Sequence, residues 1–347
     1  MNETPSPAGL SDLLPPPPPN PYSGGGFCFG RYRGPFDAPD LSRARAPRAR
    51  LKHWHYLSVV NDAWFLGIGL VHLGFAGNAF AYLVDRRASA DGERLREYEA
   101  LSPLAAALAF APSSVHGRTR WRSRGARVEI EASRGWRVSL DLPLGGARLR
   151  GELAIDPPDT SLGLLFPLGP DRPAYTHKAA GMAARGALRL SGAKGAGETI
   201  VDLSRAHAVS DWTRSYALRE TRWKWAAFAT EGADGSPLGL NLSAEVYDDA
   251  NGDSQENALF VGGATLPLGG VHFALPSNPR AEPWTIRSKR GDEVALTFTP
   301  LGARAQALDL KLVKSDFIQP FGHFDGHVRG VPIAGAFGVV EDHLAVW

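Results

Sequence analysis

The densest group of chemically capable side chains lies between His207 and Trp225, in the segment HAVSDWTRSYALRETRWKW. Trp223 and Trp225 are two residues apart, so a β-strand would place both indoles on one face. Asp211 stands beside Trp212, and burial next to large apolar rings favours the protonated form of a carboxyl group. The segment therefore predicts an aromatic wall next to a carboxyl group that can donate a proton.

The same residues also have a purely structural interpretation. Tryptophan pairs in β proteins often pack in the core, and an Asp before a Trp often caps a turn by accepting backbone N–H groups. The sequence pattern alone leaves both interpretations open.

A second cluster, His323, Asp325 and His327, alternates along the segment FGHFDGH. On a strand the three side chains would share one face, as metal ligands can. Their burial cannot be assigned from sequence, so a metal site stays open here, and no metal is assigned.

Motifs for nucleotide or nucleophile chemistry are missing from the sequence. It contains no Gly-x-Gly-x-x-Gly loop opening a helix, no Walker A motif and no Gly-x-Ser-x-Gly elbow. We therefore expect no cofactor.

The composition excludes several classes of protein. Of the 347 residues, 44% are hydrophobic and 21% charged, which is typical of a folded globular chain. Lys and Arg number 38 against 36 Asp and Glu, so the net charge of +2 gives no reason to expect a nucleic-acid partner. A single cysteine, Cys28, excludes an internal disulfide and predicts a reducing, cytoplasmic compartment.

The elements that would position these residues are predicted to be strands. Apolar stretches are short and broken by 39 glycines and 27 prolines, which favours a mostly β protein. We expect a disordered Pro- and Gly-rich leader at residues 1–26, a first β domain at 27–180 and a second at 181–347. Two strand-rich halves favour two antiparallel sheets or barrels that share an interface.

Two segments have features that are also typical of helices. Residues 63–84 carry no Asp, Glu, Lys or Arg and approach the length of a membrane span, but four glycines interrupt them. We predict a buried hairpin that turns at Gly77-Asn78. Within residues 89–114, the segment ERLREYEALSPLAAALAF is the best candidate for a short helix.

Several short motifs in order resemble a bacterial family known only as domain-of-unknown-function family 2804. The motifs are Tyr175-Thr176-His177-Lys178, Asp211-Trp212-Thr213-Arg214, Trp223-Lys224-Trp225, Gly239-Leu240-Asn241, Glu256-Asn257-Ala258-Leu259-Phe260, Phe337-Gly338 and Glu341-Asp342-His343. That family is in turn distantly similar to the two-lipocalin-domain (calycin) proteins, which include carotenoid 1,2-hydratase and the AttH-type proteins.

The resemblance implies two consecutive antiparallel lipocalin-like barrels packed together, with a cavity for a hydrophobic ligand. It implies that the segment with Asp211 and Trp212 is an acidic and aromatic site. The candidate catalytic residues are Asp211 and His177. The candidate ligand-binding residues are Trp212, Tyr216, Trp223, Trp225, Asn241, Glu256 and Asn257.

Three functions stay open at this point. The first is binding of a lipid, isoprenoid or polyketide in the cavity, with contact to a membrane surface for ligand exchange as a further expectation. The second is a cofactor-independent hydratase or cyclase in which Asp211 protonates an alkene. The third is a structural or interaction protein whose interior is filled by its own side chains. We rank binding first, because a fold by itself specifies no reaction.

Overall fold

A computed structural model describes residues 14–88, 94–192, 197–309 and 314–347, and almost every regular element in these ranges is a β-strand. The first series of strands is β1 (Tyr22–Ser23), β2 (Gly26–Phe27), β3 (Gly30–Arg33), β4 (Leu51–Val60), β5 (Trp64–His72), β6 (Ala76–Asp85), β7 (Leu95–Pro103), β8 (Leu108–Ala109), β9 (Gly117–Ser123), β10 (Ala126–Ala132), β11 (Trp136–Leu144), β12 (Ala147–Ile155), β13 (Leu162–Pro167), β14 (Pro173–Ser191), β15 (Glu198–Asp202) and β16 (Ala206–Tyr216). The second series is β17 (Glu220–Glu231), β18 (Pro237–Ala244), β19 (Ala258–Val261), β20 (Ala264–Pro267), β21 (Val271–Ala274), β22 (Trp284–Ser288), β23 (Val294–Asp309), β24 (Lys314–Val328) and β25 (Val331–Val346). A 3₁₀ turn at Arg48–Arg50 precedes β4.

Within the described ranges, these strands form two large antiparallel sheets and a small ribbon of β1 and β2. The first sheet has the order β7-β6-β5-β4-β16-β14-β12-β11-β10-β9-β8, with β3, β13 and β15 attached. Its end strands β7 and β8 are joined by residues 104–107, so the sheet curls back on itself. The second sheet, β20-β19-β18-β17-β25-β24-β23-β22-β21, likewise has end strands joined by a short connection, residues 268–270. The expected fold class is confirmed in its mostly β content and in its two consecutive antiparallel barrel-like sheets.

The change from one sheet to the other falls between β16 and β17, at residues 217–219. The expected boundary at 180/181 lies instead inside β14, where the register against β16 shifts between Ala180 and Met182. Gly181 sits in this bulge with φ +83°, a conformation that glycine adopts without strain. The run of small residues after Lys178 therefore contains a bulge within β14 and is not a boundary between two domains.

Part of the expected leader contacts the first barrel. Residues 1–13 lie outside the described residues. From Leu14 onward the chain packs on the body: Leu14 joins an apolar cluster, and the backbone N–H of Arg33 donates to the carbonyl of Pro15 at 2.8 Å.

Three apolar clusters explain why the strands are so hydrophobic. One fills the first barrel, one fills the second, and a third lies between the barrels and takes residues from both sheets. Strand β5, for example, sends Leu66 and Ile68 into the first barrel and Phe65 into the contact between barrels. A strand that is buried on both faces has a nearly continuous run of apolar residues in its sequence.

This double burial accounts for the uncharged segment at residues 63–84. Strands β5 and β6 pair antiparallel as the predicted hairpin, although the chain turns at residues 73–75 and not at Gly77-Asn78. Among the described residues, no helix has the length and hydropathy needed to cross a membrane.

The short helix expected within residues 89–114 is wrong for the part that the structure describes. Residues 95–103 form the edge strand β7, which pairs with β6 along its length. Pairing with β6 overrides the helical propensity of the segment.

Candidate functional site

The register between β14 and β16 places two charged side chains side by side. Lys178 lies opposite Asp211, and His177 lies opposite Trp212. Because successive side chains point to opposite faces of a strand, the charged pair faces the second barrel while His177 and Trp212 face away from it.

Lys178 holds two carboxylates in a buried cluster. Its Nζ lies 2.6 Å from Asp211 Oδ2 and 3.1 Å from Glu256 Oε2. All three residues are buried. The hydroxyl of Thr213 also donates to Asp211 Oδ1 at 3.0 Å. Asp211 is therefore an ion-pair partner, and not an isolated carboxyl group.

Glu256 reaches this cluster from the connection between β18 and β19. Asn241 of β18 donates from Nδ2 to the carbonyl oxygen of Glu256 at 2.8 Å. The next residue, Asn257, accepts the backbone N–H of Ser243 at 2.6 Å and donates to the carbonyl of Gly269 at 2.9 Å. The two asparagines thus fix the chain at Glu256 and at the residue that follows it, which holds the Glu256 carboxyl group in position.

The electrostatics of the cluster follow from burial and mutual charge. Burial raises the pKa of Glu256, and the charge of Asp211 raises it further, against the opposing effect of Lys178. Burial alone would lower the pKa of Lys178, but the two carboxylates outweigh it and raise that pKa. At neutral pH Lys178 is charged, and Glu256 holds a proton more readily than an ordinary glutamate.

Aromatic side chains from both barrels form the walls of an adjoining cavity. The indoles of Trp54 (β4) and Trp223 (β17) are stacked with centroids 6.4 Å apart, and Tyr56 meets Trp225 edge-on at 5.4 Å. The cavity has a volume of ≈ 250 Å³ and is lined by these four rings together with Lys178, Asp211, Glu256 and Tyr247. It lies between the barrels, and not inside the second one.

A hydrogen-bonded chain crosses between the barrels beside this cavity. Tyr56 and Tyr82 share a bond at 2.9 Å, and Tyr82 donates to Gln319 Oε1 at 2.8 Å. Gln319 Nε2 donates to Glu341 Oε2 at 2.7 Å, and the indole N–H of Trp223 donates to Glu341 Oε1 at 2.7 Å. A buried polar chain with each partner satisfied fixes the positions of the walls.

Four of the sequence-predicted residues line the cavity: Asp211, Trp223, Trp225 and Glu256. Asn241 and Asn257 are buried behind it and support Glu256, and Asn241 also accepts the Trp225 indole N–H at 2.9 Å.

Three predicted residues lie elsewhere. Trp212 and Tyr216 belong to an apolar cluster with Tyr175 on the far side of β16. His177 points into the first barrel, where its Nδ1 lies 2.9 Å from Ser114 Oγ, and burial lowers its pKa to about 3. Alternation along β14 and β16 puts these side chains on the face opposite Lys178 and Asp211.

Several cavity residues were not singled out from the sequence. Lys178 is the most informative: a lysine followed by the uncharged run AAGMAA within a strand signals a buried cation. Tyr247 sits in an irregular connection, where no strand periodicity could have assigned its direction.

The alternating His323, Asp325 and His327 make backbone contacts instead of converging. His323 Nδ1 and Asp325 Oδ1 both bond to the backbone of Gly335, at 3.0 and 2.8 Å, while His327 Nε2 lies 3.3 Å from the backbone carbonyl oxygen of Asp292. In the described part of the chain no group of three His, Cys, Asp or Glu residues has the arrangement of a metal site.

No curated protein matches the sequence. Among solved structures, the chain is similar to kievitone hydratase from Nectria haematococca, with 9% identity, a TM-score of 0.49, and coverage of 90% of this chain and 93% of that one. It is also similar to CghA, solved with Sch210972, with 12% identity, a TM-score of 0.40, and coverage of 85% and 88%. The model of the family described as a domain of unknown function (DUF2804) matches residues 23–347, so the resemblance seen in the motifs is confirmed and the chain belongs to that family.

Proposed function

We propose that the protein binds a small, mostly apolar molecule in the cavity between its two barrels. The observation that carries this proposal is the convergence of aromatic walls from both barrels on one buried Lys178–Asp211–Glu256 cluster. Ligand pockets typically combine an apolar lining with a few polar groups that orient the ligand. A polar group of the ligand would lie at Lys178, and its apolar part against Trp54, Trp223 and Trp225.

The size and charge of the cavity narrow the ligand class. A volume of ≈ 250 Å³ lies near the lower end of the range of ~300–1,000 Å³ for ligand pockets. We therefore favour a compact lipid, isoprenoid or polyketide unit. A buried ion cluster stabilises a fold little compared with apolar packing, so its place on a cavity wall supports a role in function.

Removing one wall tests the binding proposal. We expect Trp54→Ala to weaken the binding of N-phenyl-1-naphthylamine, a neutral fluorescent probe, by about tenfold or more, which is ~1.4 kcal/mol or more. The change leaves the bond between Trp223 and Glu341 untouched. The measurement is a fluorescence titration, with native mass spectrometry of the purified protein to detect a retained apolar molecule.

The matched control is Phe29→Ala, which removes an exposed aromatic ring outside the cavity lining. It should bind the probe as the unaltered protein does. Equal affinity in Trp54→Ala, Phe29→Ala and the unaltered protein would contradict binding in this cavity.

A second candidate function is supported by the raised pKa of Glu256. In this reaction a cavity carboxyl group transfers its proton to an alkene carbon, and the positive charge that forms on the neighbouring carbon is stabilised by the indole faces. Water or a hydroxyl group of the substrate then adds to that carbon, and its proton returns to the carboxylate. Asp211 is the donor expected from sequence, but its close pairing with Lys178 favours Glu256.

Infrared spectroscopy tests this assignment without a substrate. We expect an infrared pH titration to show a protonated-carboxyl C=O band that persists to higher pH than that of an ordinary glutamate and is absent in Glu256→Gln, because burial raises the pKa of Glu256. Asp211→Asn should keep the band but lower the pH to which it persists, because the charge of Asp211 raises that pKa further. Loss of the band in Asp211→Asn alone would assign the proton to Asp211 instead. Absence of the band in the unaltered protein would remove the stored proton that this reaction needs.

A further inference from the structure

Three side chains at the cavity make a set of mutual contacts that ligand binding alone does not require. Ser315 lies in β24, and Glu341 and His343 lie two residues apart in β25, on one face of that strand. His343 Nε2 is 2.9 Å from Ser315 Oγ, and His343 Nδ1 is 3.5 Å from Glu341 Oε1. All three residues line the cavity.

The surroundings of Glu341 fix the direction of these contacts. Its carboxyl group accepts hydrogen bonds from the indole N–H of Trp223 and from Gln319 Nε2, both at 2.7 Å, so it is held as an acceptor. An acceptor facing Nδ1 favours the tautomer with hydrogen on Nδ1, which leaves Nε2 free to accept the Ser315 hydroxyl proton.

Packing also restricts the imidazole ring of His343. It lies against Trp223 with centroids 4.2 Å apart and meets Phe317 edge-on at 5.1 Å. A base whose ring is held between two aromatic side chains keeps its nitrogen directed at the hydroxyl group.

A hydroxyl, an imidazole and a carboxylate in this sequence of contacts are the parts of an activated serine nucleophile, which is recognised by geometry and not by chain order. We propose that Ser315 is a nucleophile, that His343 is its general base, and that Glu341 is a positioning residue for His343. The substrate class is a small ester with apolar substituents, and this choice of substituents rests on the binding proposed above.

The reaction balances with water as the co-reactant. Ser315 Oγ attacks the ester carbonyl carbon while its proton moves to His343 Nε2. The bond from that carbon to the alcohol oxygen then breaks, and His343 returns the proton to the leaving alcohol. Water attacks the acylated Ser315, giving one proton to His343, which passes it back to Ser315 Oγ as the acid leaves.

A fluorophosphonate probe tests the nucleophile directly, because Ser315 Oγ would displace fluoride from phosphorus and keep the phosphonyl group. We expect peptide mass spectrometry to find the adduct on Ser315 and to find none there in Ser315→Ala. The labelling rate should fall about 100-fold in His343→Asn, the scale of a lost general base. Ser139→Ala, which alters a half-buried serine outside the cavity that is bonded to Glu152, should leave the rate unchanged.

The role of Glu341 has its own readout. The carboxylate facing Nδ1 favours the Nδ1–H tautomer, so Glu341→Leu should shift His343 towards the Nε2–H tautomer in nitrogen-15 NMR spectra as the labelling rate falls. A purely structural role would lower the labelling rate without changing the tautomer.

Binding of N-phenyl-1-naphthylamine separates the two proposals. Circular dichroism and chemical denaturation of Ser315→Ala show that this variant is folded, and binding of N-phenyl-1-naphthylamine is measured on the unaltered protein. The proposal that Ser315 is a nucleophile would be overturned if the protein binds N-phenyl-1-naphthylamine but the fluorophosphonate does not label Ser315. It would also be overturned if His343→Asn is labelled as fast as the unaltered protein. Normal labelling of Ser315 without probe binding would overturn the ligand cavity and leave the nucleophile standing.

Discussion

Replacing Lys178 by methionine is expected to lower the free energy of unfolding by about 3–5 kcal/mol at pH 7. The ammonium group lies 2.6 Å from Asp211 and 3.1 Å from Glu256, and all three residues are buried. Methionine occupies a similar volume but leaves two buried carboxyl groups facing each other without a cation. Chemical denaturation monitored by tryptophan fluorescence measures the change.

The loss should be smaller at pH 5 than at pH 7. In the folded protein burial raises the pKa of Glu256, and Lys178 opposes that rise. Without Lys178 the folded-state pKa rises further above the unfolded value, so the folded state is penalised at pH above the unfolded value and relieved as the pH falls. In the unaltered protein the pKa of Lys178 is raised, so its own contribution is complete below the ordinary lysine value and constant between these two pH values.

A triple variant separates charge from packing. Lys178→Met combined with Asp211→Asn and Glu256→Gln removes every charge of the cluster, and we expect it to recover most of the lost stability. An equal loss for Lys178→Met at both pH values would show that packing, and not the pair of carboxylates left without a cation, is responsible.

The sequence was sufficient to predict the fold class, because alternation and apolar runs report local strand formation. It also identified Asp211, Trp223 and Trp225 as site residues, because each lies in a segment whose residue pattern predicts a strand. It could not show that Lys178 pairs with Asp211, because the register between β14 and β16 is set by long-range pairing.

The sequence also could not show to which face of the sheet each side chain points. Asp211 and Trp212 are adjacent in the chain and look like one site, yet alternation along β16 sends them to opposite faces. Glu256 lies in a connection without periodicity, and the hydrogen bonds of Asn241 and Asn257 that orient it join residues 12–15 positions apart.

The contact between the barrels explains why the cavity depends on two glycines. Gly239 of β18 lies against the β14 bulge, where a Cβ atom at Gly239 would come within 2.4 Å of the Ala180 carbonyl carbon and 2.6 Å of the Gly181 nitrogen. Lys178 stands three residues before Gly181, and Asn241, which holds Glu256, stands two residues after Gly239. The backbone contact therefore sets the separation of the two halves of the ion cluster.

Gly239→Ala is accordingly expected to lower the free energy of unfolding by about 3 kcal/mol, at the upper end of ordinary overpacking, because backbone atoms must move to admit the methyl group. The same movement should weaken binding of N-phenyl-1-naphthylamine, since it separates Lys178 from Glu256 and displaces Trp225 through Asn241. Gly26→Ala is the matched control, because a Cβ atom there meets nothing within 4 Å. If Gly239→Ala unfolds and binds the probe as Gly26→Ala does, the barrels are free to separate at this contact without cost, and the cavity is held together by the Tyr82–Gln319–Glu341 chain instead.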